Sequence, residues 1–180
     1  MPQAIMHVLV PLILMALIRD WYNSKKGKNI LSAHYVLVAG LAGLIPDLDV
    51  AVYWILHFSG YTLEEVHRTF AHTIFVPLIF LILFLVFRKL KPIELGKRGL
   101  KLNLIFFMLG FGSLLHLILD AIFIGFITPL YPFSSWAIGL DVAGKMPVPL
   151  NSLLIPCLET AILVFWLIYL EIKHKVSDFI

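Results

Sequence analysis

Long apolar runs separated by short charged intervals set the pattern of the chain. They predict five helical segments, at about 5–18, 32–45, 67–90, 100–126 and 150–170. Several of these runs approach or exceed the roughly 20 residues that cross a bilayer. The first two are short for a span, and tilting or continuation by irregular backbone sheltered inside a bundle is expected for them. In "IPDLD" the second run meets Pro46, which tends to stop the incoming helix at Ile45 and leaves Asp47 and Asp49 in irregular backbone. The small residues just before, Ala39, Gly40, Ala42 and Gly43, suit close approach of helix backbones.

Composition narrows the class. Of 180 residues, 61% are hydrophobic and 14% charged, more apolar surface than a soluble domain of this size can hide. The expected architecture is all-α: one integral membrane domain over residues 1–180, a polytopic bundle of about five helices with no soluble module attached. The opening residues "MPQAIMHVLVPLILMALIRD" lack a basic leading region and a small-residue cleavage site, so they read as a retained segment. The single cysteine, Cys157, forms no internal disulfide and says nothing about redox compartment.

The charges then give sidedness. Arg19, Lys25, Lys26 and Lys28 follow the first segment, Arg88, Lys89, Lys91, Lys97, Arg98 and Lys101 lie in the third connection, and Lys173 and Lys175 follow the last. Only Arg68 and Lys145 remain for the opposite face. The positive-inside rule makes the basic face cytoplasmic, with the N-terminus outside and the C-terminus inside a cell (inner or plasma) membrane. The basic balance is thereby accounted for without a nucleic-acid partner.

With that topology, the other polar residues collect on the outer face. His7 opens the first segment, Asp47 and Asp49 follow the second, His67 and His72 open the third, and His116 and Asp120 lie in the outer part of the fourth. "HLILD" puts His116 and Asp120 one helical turn apart on one face. Ionisable groups at membrane depth are costly unless paired, hydrated or bound to a cation. A divalent metal satisfies carboxylates and neutral imidazoles together, and mixed nitrogen and oxygen donors suit Zn²⁺, one or two ions, with Mn²⁺ or Fe²⁺ as alternatives. The predicted metal site therefore lies near the extracytoplasmic face. Arg68, beside the histidine pair, suits an interfacial position or an anionic group.

The "MH" near the start, "IPDLD", "HRTFAH", "GFGSLLHLILD" and "TPLYPF", in that order, resemble the family of inner-membrane-associated metal-dependent hydrolases whose bacterial members are associated with the LexA regulon. Relative to that family's pattern, Thr69 replaces a Gly, Ala71 a Thr and Thr73 a Ser, while both histidines are kept. The order of ligands is also similar to the all-helical superfamily of zinc-dependent phospholipase C and S1/P1 nucleases. That likeness implies one metal held by Asp47, one of His67 or His72, His116 and Asp120, with His7 and Asp120 contributing to a second. It also implies that Asp47 is a ligand and Asp49 its helper. No later His pair matches the superfamily's third metal.

On this reading Asp49 acts as general base or orients a ligand imidazole, and Arg68 neutralises charge on a phosphate oxygen. Glu159 either completes the site or is a buried carboxylate bonded to Thr160 or a neighbouring helix. His34, His57 and His174 have no partner in the scheme. The Pro- and aromatic-rich connection 125–151 lies on the active face and is expected to cover the site or admit a lipid head group, with Asp141 near it. The expected activity is metal-dependent hydrolysis of a membrane lipid or lipid-linked phosphoester, with lipid as both environment and substrate. The competing expectation is a metal-binding or metal-transporting membrane protein without hydrolytic activity.

Overall fold

The computed structural model describes residues 4–27, 30–67, 69–97 and 99–175, without the side chains of 64 and 65. Among them the chain is mostly helical. In order come α1 (Ala4–Lys26), α2 (Ala33–Ala42), a 3-10 turn (Pro46–Leu48), α3 (Asp49–Leu56) and α4 (Leu63–Val66). Then follow α5 (Phe75–Lys89), strands β1 (Glu94–Leu95) and β2 (Leu100–Lys101), α6 (Leu102–Phe123) and α7 (Leu150–His174).

Each of the five expected segments contains a helix, and two boundaries are displaced by about two turns, the others by about a turn or less. The first helix is not short: α1 runs 23 residues, carrying on through polar Arg19 to Lys26. The third begins at Phe75 instead of His67, so His67 and His72 stand in irregular chain ahead of it. Pro77, tolerated within a first turn, suits that later start. The tiny β1–β2 hairpin, pairing Glu94 with Lys101 and Leu95 with Leu100, is the one strand pair among the described residues.

Helices α1, α6 and α7 are long and apolar enough to cross a bilayer. A fourth crossing is possible if α2 and the stretch Pro46–Ser59, bent by 51° at the break, act as one broken span. The break falls where Pro46 was expected to end the helix, although Gly43 already caps α2. At 15 residues α5 extends about 22 Å, less than the roughly 30 Å hydrocarbon thickness.

The buried centre lies between α1, α2 and α6, where Met15, Ala16, Tyr35, Val36, Ala39 and Met108 pack together. Small residues make this possible. A Cβ on Gly40 would stand 2.9 Å from Leu12 Cβ, one on Gly112 would run into the Ala39 carbonyl, and one on Gly43 would strike the His7 carbonyl. Outside this centre, α5 packs on α6 and α7 on α1. Helix α7 turns Leu163, Val164, Phe165, Leu167 and Ile168 outward, as a lipid-facing helix should.

The two ends of the bundle differ chemically. Lys25 and Lys26 close α1, Arg88 and Lys89 close α5, Lys101 precedes α6, and Lys173 and His174 close α7, all at one end. His7 near the start of α1 and His116 and Asp120 near the end of α6 stand at the other.

Candidate metal centre

Four elements deliver the cluster, and each does so by local chemistry. Helix α1 brings His7 in its first turns, the 3-10 turn brings Asp47, and Asp49 opens α3. The irregular chain before α5 brings His67 and His72. Helix α6 brings His116 and Asp120 from one face. His72 and His116 are fully buried, Asp120 and His7 nearly so, while the Asp47 side chain keeps 27% of its surface exposed and His67 15%. The cluster is therefore closed on the helix side and opens past Asp47 and His67.

His72 and His116 form its centre, with their Nε2 atoms 3.2 Å apart. Asp120 Oδ2 stands 3.5 Å from both nitrogens. Asp47 Oδ1 stands 3.5 Å from His72 Nε2 and 3.6 Å from His116 Nε2. Two triangles of donors thus share the His72–His116 edge. Three donors held about 2.1 Å from one ion at tetrahedral angles stand about 3.4 Å apart, so both triangles have the right size.

The outer nitrogens decide what the inner ones can do. His116 Nδ1 lies 2.6 Å from the Gly43 carbonyl, which can only accept, so the proton sits on Nδ1 and Nε2 presents a lone pair. His72 Nδ1 stands 3.1 Å from Asp49 Oδ2, and the carboxylate favours a proton there too. Two lone pairs and two carboxylate oxygens then face one point, an arrangement that requires a positive charge between them. Burial works against a charged imidazole at His72, yet its bonds to Asp47 and Asp49 and the nearby Asp120 charge outweigh it and hold its pKa up at about 9. A divalent ion held there would supply that positive charge.

His7 and His67 flank this centre. His7 stacks on His116 with ring centroids 3.9 Å apart and sets Nε2 3.2 Å from Asp120 Oδ1. Its buried Nδ1 has no hydrogen-bond partner among the described residues, which marks it as a further open donor. His67 Nδ1 lies 2.9 Å from Asp49 Oδ1. Three sets of donors, each lying within 4.8 Å, could hold an ion: His7, Asp47 and His116; Asp47, His67 and His72; His72, His116 and Asp120. The structure thus brings together all six residues expected as ligands. Arg68 lies outside the described residues.

Asp49 faces an imidazole nitrogen with each oxygen, which places it as the group that orients His67 and His72 and leaves it poorly placed as a general base. Asp49→Asn is expected to weaken metal binding about 10- to 100-fold while the helices persist. Competition with a fluorescent chelator measures this; an unchanged affinity would remove Asp49 from the orienting role.

The chain belongs to the YdjM inner membrane protein family. That family's profile matches residues 1–175, which places the chain among membrane proteins. No curated protein and no solved structure matches it. In this YdjM-family chain two of the three departures around the histidine pair, Thr69 and Thr73, have local uses. Thr69 Oγ1 donates to the Val66 carbonyl and Thr73 Oγ1 to that of Phe70, so these hydroxyls shape the loop instead of bonding the cluster.

Several groups were not legible in advance. Gly43, read only as a packing residue, supplies the carbonyl that sets the His116 tautomer. Glu159 accepts from the Met6 backbone N–H at 3.1 Å, one of the first-turn donors that α1 cannot satisfy itself. It ties α7 to the turn that carries His7, while the Thr160 hydroxyl goes to the Pro156 carbonyl. His174 has a partner in Asp20, and His34 in Ser32.

The connection 125–151 is anchored on both flanks of the cluster. Pro129 accepts from Ile74 N just before α5, and the N–H groups of Leu140, Val142 and Ala143 satisfy the last carbonyls of α6 at Ala121, Ile122 and Phe123. Phe126, Phe133, Trp136 and Val148 project from it, exposed. Asp141 caps a local turn at Gly144 N.

Proposed function

We propose that this chain is a membrane-embedded metal-dependent hydrolase that cleaves a phosphoester of a membrane lipid or lipid-linked substrate at the extracytoplasmic face. The observation that carries the reading is the pair of Nε2 atoms at 3.2 Å, flanked by Asp47 and Asp120. Such a donor set suits Zn²⁺, with Mn²⁺ or Fe²⁺ as alternatives, and His7 with Asp47 and His116 offers donors for a second ion. The chemistry an ion supplies there is activation of a water and polarisation of the phosphoryl oxygen under attack.

The chain's own residues divide the remaining work. His72, His116, Asp120 and Asp47 hold the ion, with Asp47 on the open side towards substrate. Asp49 fixes the imidazoles of His67 and His72. Arg68, by its place in the sequence, is available to neutralise a phosphate oxygen. The exposed aromatic groups of 125–151 suit the interfacial layer, where a lipid head group would meet the site. The gathering of basic residues at the opposite end supports an extracytoplasmic position through the positive-inside rule. The ordinal likeness to zinc-dependent phospholipase C and S1/P1 nucleases favours phosphoesters over carboxyl esters.

A transport path is disfavoured, because below the cluster the buried centre is Met15, Ala16, Tyr35, Val36, Ala39 and Met108, with no carboxylate or imidazole among them. The test is product release from a panel of phospholipid vesicles by zinc-loaded protein, with Asp120→Asn reducing turnover at least about 100-fold. Metal-loaded wild type that cleaves nothing, with ligand variants that lose only stability, would make the cluster a structural clamp.

A further inference from the structure

A second polar assembly lies at the basic end of the bundle, 13 residues further along α1 from His7, or about 20 Å. Asp20 is its centre. Its Oδ2 accepts from the Tyr169 hydroxyl at 2.5 Å and stands 3.0 Å from His174 Nε2, while Oδ1 pairs with Arg19 Nη2 at 3.0 Å. These bonds join the end of α1 to the end of α7. They also form one wall of an open cavity of about 450 Å³, lined by Arg19, Asp20, Asn23, Ser24, Lys173 and His174. The cavity is held in shape from behind: buried Asn23 bonds the backbone of Ile30 and Leu31 through Oδ1 and Nδ2.

Two features point to an anionic ligand. Arg19 and Lys173 outnumber Asp20, so the lining is net cationic even with His174 neutral. Arg19 Nε is buried without a hydrogen-bond partner among the described residues, an unused donor on a charged group. A third feature says what is attached to the anion. Arg19 and His174 also border a second cavity of about 430 Å³ that runs along the apolar side chains of Leu12, Ala16, Val36, Leu37, Trp166 and Leu170. A charged basin therefore lies beside an apolar groove, with Arg19 and His174 bordering both.

We propose that this pair of cavities binds one anionic phospholipid, its phosphate at Arg19 and Lys173 and an acyl chain along Leu37 and Trp166. The site stands apart from the His/Asp cluster and needs no turnover. Basic pockets between membrane helices recognise anionic head groups in this way. The lipid would pin α7, which packs on the bundle chiefly along α1, against the end of that helix.

Native mass spectrometry of the full chain released from detergent tests the proposal, with phosphatidylglycerol, phosphatidylcholine and inorganic phosphate as separate probes. Wild type is expected to retain one phosphatidylglycerol at least tenfold more tightly than phosphatidylcholine. Lys173→Gln, at an exposed position, and Arg19→Gln are each expected to lose most of that preference, and the exposed hairpin variant Lys97→Gln none. Leu37→Trp fills the apolar groove and is expected to weaken the phospholipid while leaving any phosphate binding unchanged. Retention unaltered in Lys173→Gln would overturn the site. Inorganic phosphate that displaces the lipid completely, together with a Leu37→Trp variant that binds lipid as wild type does, would overturn the acyl groove.

Discussion

Replacing His116 by alanine is expected to empty the metal centre and to lower the thermal stability of the protein. One imidazole serves both donor triangles through Nε2 and holds Gly43 through Nδ1, so its loss removes the shared edge and a buried hydrogen bond together. Asp47, Asp49 and Asp120 would remain close together, with less compensation for buried charge. The metal-to-chain ratio should fall below about a tenth of wild type even with metal in excess, whereas loss of an orienting partner leaves the site able to fill at about 10- to 100-fold weaker affinity. Losing the hydrogen bond alone is worth about 1–3 kcal/mol where a buried acceptor is left unpaired. Asp120→Asn keeps size and shape and should lose metal with a smaller change in melting temperature. Elemental analysis and melting curves on the same samples check both. Variants that keep wild-type metal would remove His116 and Asp120 from the site.

Gly43→Val is expected to damage the centre from outside it. Gly43 has ordinary helical backbone, with φ −61°, so the requirement there is space. A Cβ would meet the His7 backbone carbonyl, which cannot move without shifting the helix that carries His7. Overpacking of this kind costs about 1–3 kcal/mol. The same displacement moves the Gly43 carbonyl away from His116 Nδ1, so metal affinity and stability should fall together. Leu41→Val, at an exposed position in the same helix, should change neither. Gly43→Val that melts lower but binds metal normally would separate packing from tautomer control.

Much of the centre was legible in the sequence because ionisable residues are conspicuous against apolar runs. His7, Asp47, His67, His72, His116 and Asp120 stood out by their cost in a membrane, and the i to i+4 spacing of His116 and Asp120 holds on α6. The two members of each ambiguous pair could not be ranked from spacing. Their ranking depends on which nitrogen or oxygen faces inward, as with Asp49 turned toward two Nδ1 atoms.

What stayed hidden involved backbone atoms or distant elements. A carbonyl acceptor such as that of Gly43 leaves no mark on residue type. Glu159 meets Met6 across 153 positions, and Asp20 meets Tyr169 and His174 across about as many, so no local pattern announces either contact. The start of α5 was misplaced for a related reason. "HRTFAHTIF" carries enough apolar character to continue a helix, but His67 and His72 are held by Asp49 and Asp47 in irregular chain instead.

The metal content of wild-type protein, extracted in mild detergent without chelators and measured by elemental analysis against protein concentration, tests the central claim most directly. One or two transition-metal ions per chain, Zn above others, is the predicted result. A preparation that is folded, carries no stoichiometric transition metal and takes none up when Zn²⁺, Mn²⁺ or Fe²⁺ is supplied would contradict it.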